Sequence, residues 1–379
     1  MTRSPIEDFL SLREVNILKI KEMKDKGIKV VGSYCTYCPT ELILAAGAIP
    51  VSLCGTKEEP ISAAERTLPR NLCPLIKSSY GFAVTDTCPF FYFSDLIVGE
   101  TTCDGKKKMF EQMQQLKPVH VMELPTIKKS EASFQLWVEE IRRLRVWLEE
   151  NLSVKITDEA IWQAIEIVNQ ERSLIKAISD LNQIDPPPLS GLSLLTVSWS
   201  RSFNSDKAET IRMLRDLKER LAVHQPDQVS VKQRILLTGC PVGLGTEKVI
   251  RLTEELGGAV VALENCSGYK TLELQTSTEY SDPIVALADK YLQIPCSCMS
   301  PNPYRLELLE RMIHDFRIDA VIDLTWQACH TYNIEAYQVE QLVQQKGLPY
   351  LHLESDYSST DLESLKVRIE ALLEMAGNS

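Results

Sequence analysis

The chain of 379 residues carries 52 acidic and 41 basic side chains, a formal net charge of −11. This balance disfavours nucleic acid as a partner, and no basic stretch with interleaved aromatic residues offsets it. No apolar run approaches the ~18 residues of a membrane span, and the N-terminal residues lack the apolar segment of a signal peptide. The composition predicts a cytoplasmic protein without membrane association, large enough for two domains.

Residues 1–128 are predicted to form an N-terminal helix and a first α/β domain. The helix is predicted from Pro5 to Lys26. Helices follow in "PTELILAAGA", which opens on a proline suited to a first turn, and in "DGKKKMFEQMQQL". Short buried strands are predicted in "IKVVGSYC", "IPVSLCG", "FSDLIVGETTC" and "PVHVMELP". Strands that alternate with helices predict a parallel sheet.

Residues 129–230 are predicted to be a helical insert and linker. Apolar residues recur at helical spacing in "SFQLWVEEIRRLRVWLEENL" and "DEAIWQAIEIVNQERSLIKAISDL". The segment "DPPPLSG" interrupts the helices before a third, "SDKAETIRMLRDLKERLAVHQ". A second α/β domain is predicted over residues 231–379, with strands in "RILLTGC", "AVVALENCSG", "IDAVIDL" and "LPYLHLES".

Cysteine is the most informative residue type. The odd count and the predicted compartment argue against disulfide staples, which leaves buried thiols, redox thiols or metal ligands. The cysteines are Cys35, Cys38, Cys54, Cys73, Cys88, Cys103, Cys240, Cys266, Cys296, Cys298 and Cys329.

The cysteines recur at matching points of the two α/β units. The stretch "VVGSYCTYCPTELI" aligns with "ILLTGCPVGLGTEKVI", and "SDLIVGETTC" aligns with "IDAVIDLTWQAC". These alignments pair Cys35 with Cys240 and Cys103 with Cys329, and "GAIPVSLCG" with "GAVVALENCSG" pairs Cys54 with Cys266. Cys73 lies between the second and third strands, as do Cys296 and Cys298 of the second unit.

This repeat predicts a shared thiol site. Loops at the carboxyl ends of parallel strands converge on one crevice, and several thiolates in an enclosed place suit a soft metal or an iron–sulfur cluster. Cys54 and Cys88 are instead predicted to be small buried apolar residues. The "CTYC" pair leaves a redox dithiol or a structural zinc ligand open, although no second CxxC accompanies it.

The run "GETTCDGKKK" superficially resembles a phosphate-binding loop. Gly99 and Gly105 are separated by five residues, and a lysine replaces the required serine or threonine, so we expect no nucleotide loop here. "GCPVGLGTEK" likewise lacks the third glycine of GxGxxG. Asp104 is predicted to be a helix N-cap, and Lys106, Lys107 and Lys108 a solvated first turn.

Long blocks of the chain resemble the 2-hydroxyacyl-CoA dehydratase family, and more closely its double-cubane cluster proteins. These blocks are "YCTYCPTELILAAGAIPVSLCG", "LPRNLCPLIKSSYG", "SDLIVGETTCDGKKKMFE", "GCPVGLGTEKV", "ENCSG", "IPCSCMSPN" and "WQACHTYNIE". The resemblance implies two flavodoxin-like domains and a [4Fe–4S] cluster on three cysteines, which match Cys73, Cys103 and Cys329. In the double-cubane branch it implies two sulfide-bridged cubanes, [8Fe–9S], on six cysteines in each subunit of a homodimer. It also implies a transient partner, an ATP-hydrolysing iron–sulfur reductase, and anaerobic chemistry on small molecules.

The family triad and the internal repeat together predict six ligands. We expect these to be Cys35, Cys73, Cys103, Cys240, Cys298 and Cys329. Cys266 could replace Cys240, and Cys38 or Cys296 could replace its close neighbour, Cys35 or Cys298. Amides that follow Cys35, Cys103 and Cys240 are expected to donate to the sulfurs.

Glu264 and His330 are candidate proton donors because each lies beside a strand-end cysteine. The expected function is an ATP-dependent reductase. The alternatives are a dehydratase subunit with one [4Fe–4S] cluster and a non-catalytic electron carrier.

Overall fold

The structure, a computed structural model, describes residues 6–223 and 233–377. These residues form eight strands in two four-stranded sheets, in which every strand pairing is parallel. The first sheet holds β1 Val30–Ser33, β2 Ile49–Ser52, β3 Leu96–Glu100 and β4 Val119–Met122. The second holds β5 Gln233–Gly239, β6 Gly258–Glu264, β7 Ala320–Trp326 and β8 Tyr350–Ser355.

The two sheets have the same topology. Their orders are β2-β1-β3-β4 and β6-β5-β7-β8, so the first strand of each unit is flanked by its second and third. The expected fold class, two parallel-sheet α/β domains with helices between them, is confirmed. The shared strand order agrees with the internal repeat.

Helices cover both sheets and connect them. The first unit contains α1 Glu7–Asp25, α2 Thr40–Ala45, α3 Ile61–Ala64, α4 Pro74–Thr85, α5 Pro89–Phe93 and α6 Asp104–Met113. Four helices follow, α7 Glu131–Leu152, α8 Asp158–Asp180, α9 Gly191–Ser200 and α10 Lys207–Val223. The second unit contains α11 Lys248–Glu255, α12 Tyr269–Leu272, α13 Pro283–Leu292, α14 Pro303–Asp315, α15 His330–Gln345 and α16 Leu362–Gly377. Among the described residues, no helix has both the length and the apolar character to cross a bilayer.

Helix α9 is not evident in the sequence, because its segment "LSLLTVSWS" lacks amphipathic spacing. The helix is buried almost all round, which explains the missing polar face. It begins at Ser190, whose hydroxyl accepts the amide of Ser193. Gly191 lets it approach β6 closely, since a Cβ there would lie 2.5 Å from Val260. Helices α4 and α5 were also not predicted.

One apolar core joins the two units. Val30 and Ile97 of the first sheet belong to the same buried cluster as Ile235 and Ile322 of the second. The two units are therefore packed as one body. The boundary at residues 128 and 129 stays a prediction, and the one at residues 230 and 231 lies outside the described residues, as do Pro5 and the end of the predicted third insert helix.

Candidate metal centre

Cysteines follow three strands of each sheet at the carboxyl end, as the repeat predicts. This is the edge at which open parallel sheets bind their ligands. In chain order these residues are Cys35 after β1, Cys54 after β2, Cys103 after β3, Cys240 after β5, Cys266 after β6 and Cys329 after β7.

A first thiol group consists of Cys73, Cys103, Cys240 and Cys329. Three of its members are the N-cap residues of helices of ten or more residues: Cys73 of α4, Cys103 of α6 and Cys329 of α15. A helix N-terminus presents free amides and a positive dipole end, which stabilise a thiolate. The family triad therefore occupies three equivalent positions, each suited to an anionic sulfur.

Backbone amides act on all four sulfurs of this group, and those at the starts of α4 and α15 lower the pKa of Cys73 and Cys329. The amide of Lys106 donates to Cys103 Sγ at 3.5 Å, and the amide of Trp326 donates to Cys240 Sγ at 3.3 Å. Lys106 lies three residues after Cys103, and Trp326 belongs to β7, the strand next to β5. The expected donors were amides that follow Cys35, Cys103 and Cys240. An amide that follows Cys103 does donate to it, whereas the donor to Cys240 belongs to β7.

The thiols of the first group interact with one another. Hydrogen bonds from Cys240 and Cys73 lower the pKa of Cys329 to about 3, and the pKa values of the two donors rise correspondingly. Cys103 lies close enough for the Cys329 charge to raise its pKa, although burial is the larger cause. These hydrogen bonds favour the thiolate form of Cys329 over that of its two donors. Metal binding would require further deprotonation.

A second thiol group consists of Cys35, Cys266, Cys296 and Cys298. A hydrogen bond from Cys298 holds the pKa of Cys296 well below its ordinary value. Burial raises the pKa of Cys35 and of Cys266, and the charge of Cys296 acts in the same direction on both. The group therefore draws one cysteine from the first α/β unit and three from the second.

Two tyrosines contact the second thiol group. The hydroxyl of Tyr332 lies 3.9 Å from Cys296 Sγ, and that of Tyr37 lies 3.8 Å from Cys298 Sγ. Tyr37 also donates to the carbonyl of Ile294 at 3.0 Å. This contact links the loop after β1 to the segment that carries Cys296 and Cys298, so it holds both halves of the group in register.

The remaining cysteines lie outside these groups. Cys38 is buried in an apolar cluster beside Cys35. Cys54 donates to the carbonyl of Tyr34 at 3.1 Å and borders the second group through Cys266. Cys88 caps α5 and has no cysteine among the causes of its pKa shift.

Lys106 is buried, so the expectation of three solvated lysines is wrong at this position. It is 9% exposed, and its Nζ donates to the carbonyl of Tyr34 at 2.9 Å. Lys106 shares one helical face with the buried Met109, Phe110 and Met113, a spacing that is visible in the sequence. Its charge opposes the rise that burial causes in the pKa of Cys35. The loop therefore contributes a cation beside the thiols.

The N-cap of α6 also differs from the prediction. Cys103 is the cap residue and accepts the amide of Lys106, whereas Asp104 is the first helical residue and is exposed. A carboxylate in the first turn still complements the helix dipole. The capping function itself is met by a candidate metal ligand.

The two candidate proton donors lie in different surroundings. Glu264 is fully buried and forms ion pairs with Arg305 at 3.2 Å and Lys270 at 3.5 Å. It also accepts the hydroxyl of Thr238. His330 is exposed at the start of α15. The contacts of Glu264 are those of a group that fixes neighbouring elements.

A cavity of about 210 Å³ opens beside the second thiol group. Cys35, Cys54, Cys266 and Lys106 line one part of it. Buried and partly buried charged side chains of α8, α10 and α13, together with Arg201 directly after α9, line another part. Neither Glu264 nor His330 is among the residues around this cavity.

Within residues 6–223 and 233–377, no three Cys, His, Asp or Glu side chains converge as a site for a single metal ion. Cysteines that bind different irons of one cluster are spaced more widely than ligands of one ion, so a cluster places a different demand on the site. The case for a metal centre here depends on the chemistry and grouping of the donors: eight thiols in two groups, with amides and a lysine beside them.

These features define an α/β protein with a cysteine-rich centre between two repeated parallel-sheet units. The family model of the 2-hydroxyglutaryl-CoA dehydratase D-component matches residues 35–376. The chain belongs to the 2-hydroxyacyl-CoA dehydratase family, as the sequence blocks indicated.

Characterised and named relatives cover most of the chain. It is 47% identical over 372 residues to the "Putative dehydratase subunit YjiM" of Escherichia coli strain K12, with 97% of each chain covered. It is 25% identical to the (R)-phenyllactyl-CoA dehydratase beta subunit of Clostridium sporogenes, with 94% of each covered. A shorter match of 166 residues, 24% identical, relates it to a benzoyl-CoA reductase subunit of Thauera aromatica, covering 43% of this chain and 42% of the relative.

Proposed function

We propose that the protein is an ATP-dependent, low-potential reductase of small molecules that holds an [8Fe–9S] double-cubane cluster. The observation that carries this proposal is the second thiol group. A single [4Fe–4S] cluster on the family triad would leave Cys35, Cys266, Cys296 and Cys298 without a role, although they are grouped in one buried place. Two thiol groups supply donors for two cubanes.

The ligand set follows from this grouping. Cys73, Cys103 and Cys329 would hold one cubane, with Cys240 next to them. Cys35 and Cys298 would hold the other, and Cys266 or Cys296 lies close enough to complete it. The six-cysteine prediction placed four ligands in the first group and two in the second. Replacing Cys240 by Cys266 would give each group three ligands, so Cys266 is the strongest replacement for Cys240. When bound, such a cluster would supply single low-potential electrons to a substrate.

The chain's own residues would tune and enclose the centre. Lys106 places a buried cation beside Cys35 and Cys54, which favours a more reduced and more negative cluster. The amides of Lys106 and Trp326 stabilise charge on Cys103 and Cys240. Trp326 and Tyr357 form part of an apolar wall, with ring centroids 5.1 Å apart. Both side chains are buried beside the thiols of the first group.

Electrons would come from a transient partner. The sequence contains no phosphate-binding loop, so we assign ATP hydrolysis to a separate iron–sulfur reductase that docks on a homodimer of this chain. The match to a benzoyl-CoA reductase subunit supports a reductive role for this family architecture.

The second candidate is a 2-hydroxyacyl-CoA dehydratase subunit with one [4Fe–4S] cluster. The names of the relatives favour it, since the (R)-phenyllactyl-CoA relative is a dehydratase beta subunit. The cavity argues for the first candidate, because about 210 Å³ is below the ~300–1,000 Å³ of pockets for drug-sized ligands. A long CoA arm would need a channel in addition.

Iron counting separates the two candidates. Anaerobically purified protein should contain about eight iron atoms per chain as a double cubane and about four as a single cubane. Cys35→Ser and Cys266→Ser should each lose about half the iron, and Cys88→Ser, an isolated thiol, should lose none. Cys240→Ser tests whether Cys240 is a ligand or only a neighbour. About four irons in the wild type, or full iron in Cys35→Ser, would contradict the double-cubane proposal.

Turnover assays then separate the activities. With an activating reductase and ATP, the dehydratase candidate predicts elimination of water from a 2-hydroxyacyl-CoA. The reductase candidate predicts reduction of small test substrates. A protein that holds its cluster but performs neither reaction would be an electron carrier.

A further inference from the structure

We propose that the cationic part of the cavity beside the second thiol group binds a small anion, a carboxylate or an inorganic oxyanion of similar size, through Lys290, Arg172 and Arg201. The proposal rests on the proposed function in taking this anion as the substrate class. Anion binding itself is tested separately from cluster content.

The charges around this part of the cavity do not balance. Four cations, Lys290, Arg172, Arg201 and Lys207, accompany two carboxylates, Glu41 and Glu171. All four cations line the cavity. An excess of buried positive charge is costly unless something compensates it.

Both carboxylates already have cationic partners. Glu41 is paired with Arg172 at 3.0 Å and accepts the hydroxyl of Tyr291 at 2.7 Å. Glu171 is paired with Lys207 at 3.0 Å and with Arg201 at 3.7 Å. Glu41 also acts on Lys290 through its charge, but it forms no ion pair with Lys290.

Of the four basic side chains in this part of the cavity, Lys290 is the one that has no ion-pair partner among the described residues. It is 3% exposed, and among the described residues its Nζ forms neither a hydrogen bond nor an ion pair. The Nζ of Lys290 lies over the ring of Tyr291, 3.6 Å from the ring centroid, which is the geometry of a cation–π contact. Arg172 also has a buried guanidinium nitrogen, Nη1, without a hydrogen-bond partner. Arg201 Nε is a further buried nitrogen without a hydrogen-bond partner, so three residues that line the cavity carry donors that are not hydrogen-bonded.

The electrostatic surroundings support an anion site. Burial, followed by the charge of Arg172, holds the pKa of Lys290 well below its ordinary value. The charge of Arg201 acts in the same direction, and Glu41 opposes it. A bound anion would relieve this repulsion.

These cations are distinct from those that accompany the thiols. Lys106 is the leading cationic influence on Cys35, and Lys270 is the leading one on Cys266. Lys290, Arg172 and Arg201 instead influence one another. The positive charge in this part of the cavity is therefore not compensated by the thiols of the second group.

The size of the cavity limits the ligand. A cluster on Cys35 would take part of the volume of about 210 Å³, and the remainder suits an anion of only a few heavy atoms. Trp199 and Phe203 add an apolar wall, with ring centroids 4.4 Å apart. An anion held by Lys290 would share the cavity with Cys35 and Cys266, which is where a reducible small molecule would have to sit.

The test is anaerobic calorimetry on cluster-loaded protein in a buffer free of small anions. Acetate, nitrate and inorganic phosphate are titrated separately, with acetamide as the neutral analogue of acetate. We expect acetate or nitrate to bind and acetamide to give no binding. Tighter acetate than nitrate would indicate a carboxylate, and the reverse an inorganic oxyanion. No binding of any of the three anions would overturn the proposal.

Two variants locate the site. Lys290→Met should weaken anion binding at least about tenfold through loss of a charged donor. Lys176→Met is the matched control: Lys176 lies one turn from Arg172 on α8, pairs with Asp180 at 2.9 Å and does not line the cavity. This variant should bind as the wild type does. Equal binding by Lys290→Met would refute the assignment.

Iron content and thermal unfolding separate a binding role from a structural one. Lys290→Met should keep its iron, and without anion its unfolding temperature should equal or exceed that of the wild type, because the variant removes a buried basic group that has no ion-pair partner. A lower unfolding temperature or lost iron would make Lys290 a structural residue and overturn the proposal. If the protein holds about four irons and anion binding still depends on Lys290, the double-cubane proposal is wrong and the anion-site proposal stands.

Discussion

Arg305 is predicted to be the most sensitive charged residue of the second α/β unit. It is fully buried on α14 and contacts three carboxylates: Glu264 at 3.2 Å, Glu335 at 2.5 Å and Asp323 at 3.9 Å. These groups lie at the end of β6, on α15 and on β7, so one guanidinium connects the elements that carry Cys266 and Cys329. Arg305→Met would leave Glu264 with Lys270 at 3.5 Å, and it would leave Glu335 and Asp323 without an ion-pair partner among the described residues.

The expected cost follows from the burial of the charges. Breaking a buried ion pair by removing one partner costs about 3–5 kcal/mol, because the other charge remains uncompensated. The shared core favours unfolding of the chain as one unit, and about 2.1 cal/mol/K per residue then gives an unfolding entropy of about 0.8 kcal/mol/K. The predicted fall in unfolding temperature is therefore about 4–6 °C.

Calorimetry on anaerobic protein, with Arg311→Met as the control, measures this fall. Arg311 lies on the same helix and pairs with Glu273 at 2.5 Å, but it is largely exposed. An exposed pair contributes about 0–1 kcal/mol, so the control should shift by about 1 °C or less. Equal shifts in the two variants would refute the reasoning.

A double variant tests whether uncompensated charge is the cause. Adding Glu264→Gln to Arg305→Met removes one stranded carboxylate, so part of the lost stability should return. If the double variant is less stable than Arg305→Met alone, lost packing is the main cause. Recovery would also support a positioning role for Glu264 in place of the predicted proton donation.

Three further variants test other parts of the structure by thermal unfolding or potentiometry. Burial, followed by the charge of Arg143, lowers the pKa of His120 to about 4. The stability that this neutral ring gives above pH 6.5 should therefore fall as the pH drops from 6.5 to 4, and His120→Phe should reduce this loss of unfolding free energy by up to about 2 kcal/mol. An alanine Cβ at Gly239, where φ is +107°, would lie 2.2 Å from the carbonyl oxygen of Leu324, so Gly239→Ala should cost about 2–4 kcal/mol, and an unchanged unfolding temperature would contradict this. Lys106→Met should lower the cluster's reduction potential by on the order of tens of millivolts, measured in an anaerobic redox titration, and an unchanged potential would show that this cation does not act on the centre.

The positions of the strand-end cysteines could be predicted because two local signals coincide. Short apolar runs mark the strands, and parallel sheets bring their carboxyl ends to one edge. Lys106 was mispredicted although its spacing from Met109 and Phe110 was readable, because three consecutive lysines suggested solvent. Helix α9 could not be predicted, because a helix buried all round has no polar face to mark its period.

The partition of the cysteines into two groups could not be predicted from the repeat. The repeat gives Cys35 and Cys240 equivalent places, yet Cys240 lies with Cys73 and Cys329, and Cys35 lies with Cys266 and Cys296. Two cysteines that occupy the same place in their own sheets can therefore have different neighbours in the assembled chain. The angle at which the sheets face each other decides which thiols meet, and that angle depends on the shared core.

Each thiol group takes cysteines from both α/β units, and this has a consequence for assembly. The first group needs Cys73 and Cys103 from the first unit with Cys240 and Cys329 from the second, and Cys35 is the first unit's member of the second group. Neither unit alone can present a complete group. A cluster that binds only the assembled chain stabilises the contact between the units by mass action. Iron-loaded protein should therefore unfold at a higher temperature than iron-free protein, and hydrogen exchange should slow most in the loops that end β1, β3, β5 and β7.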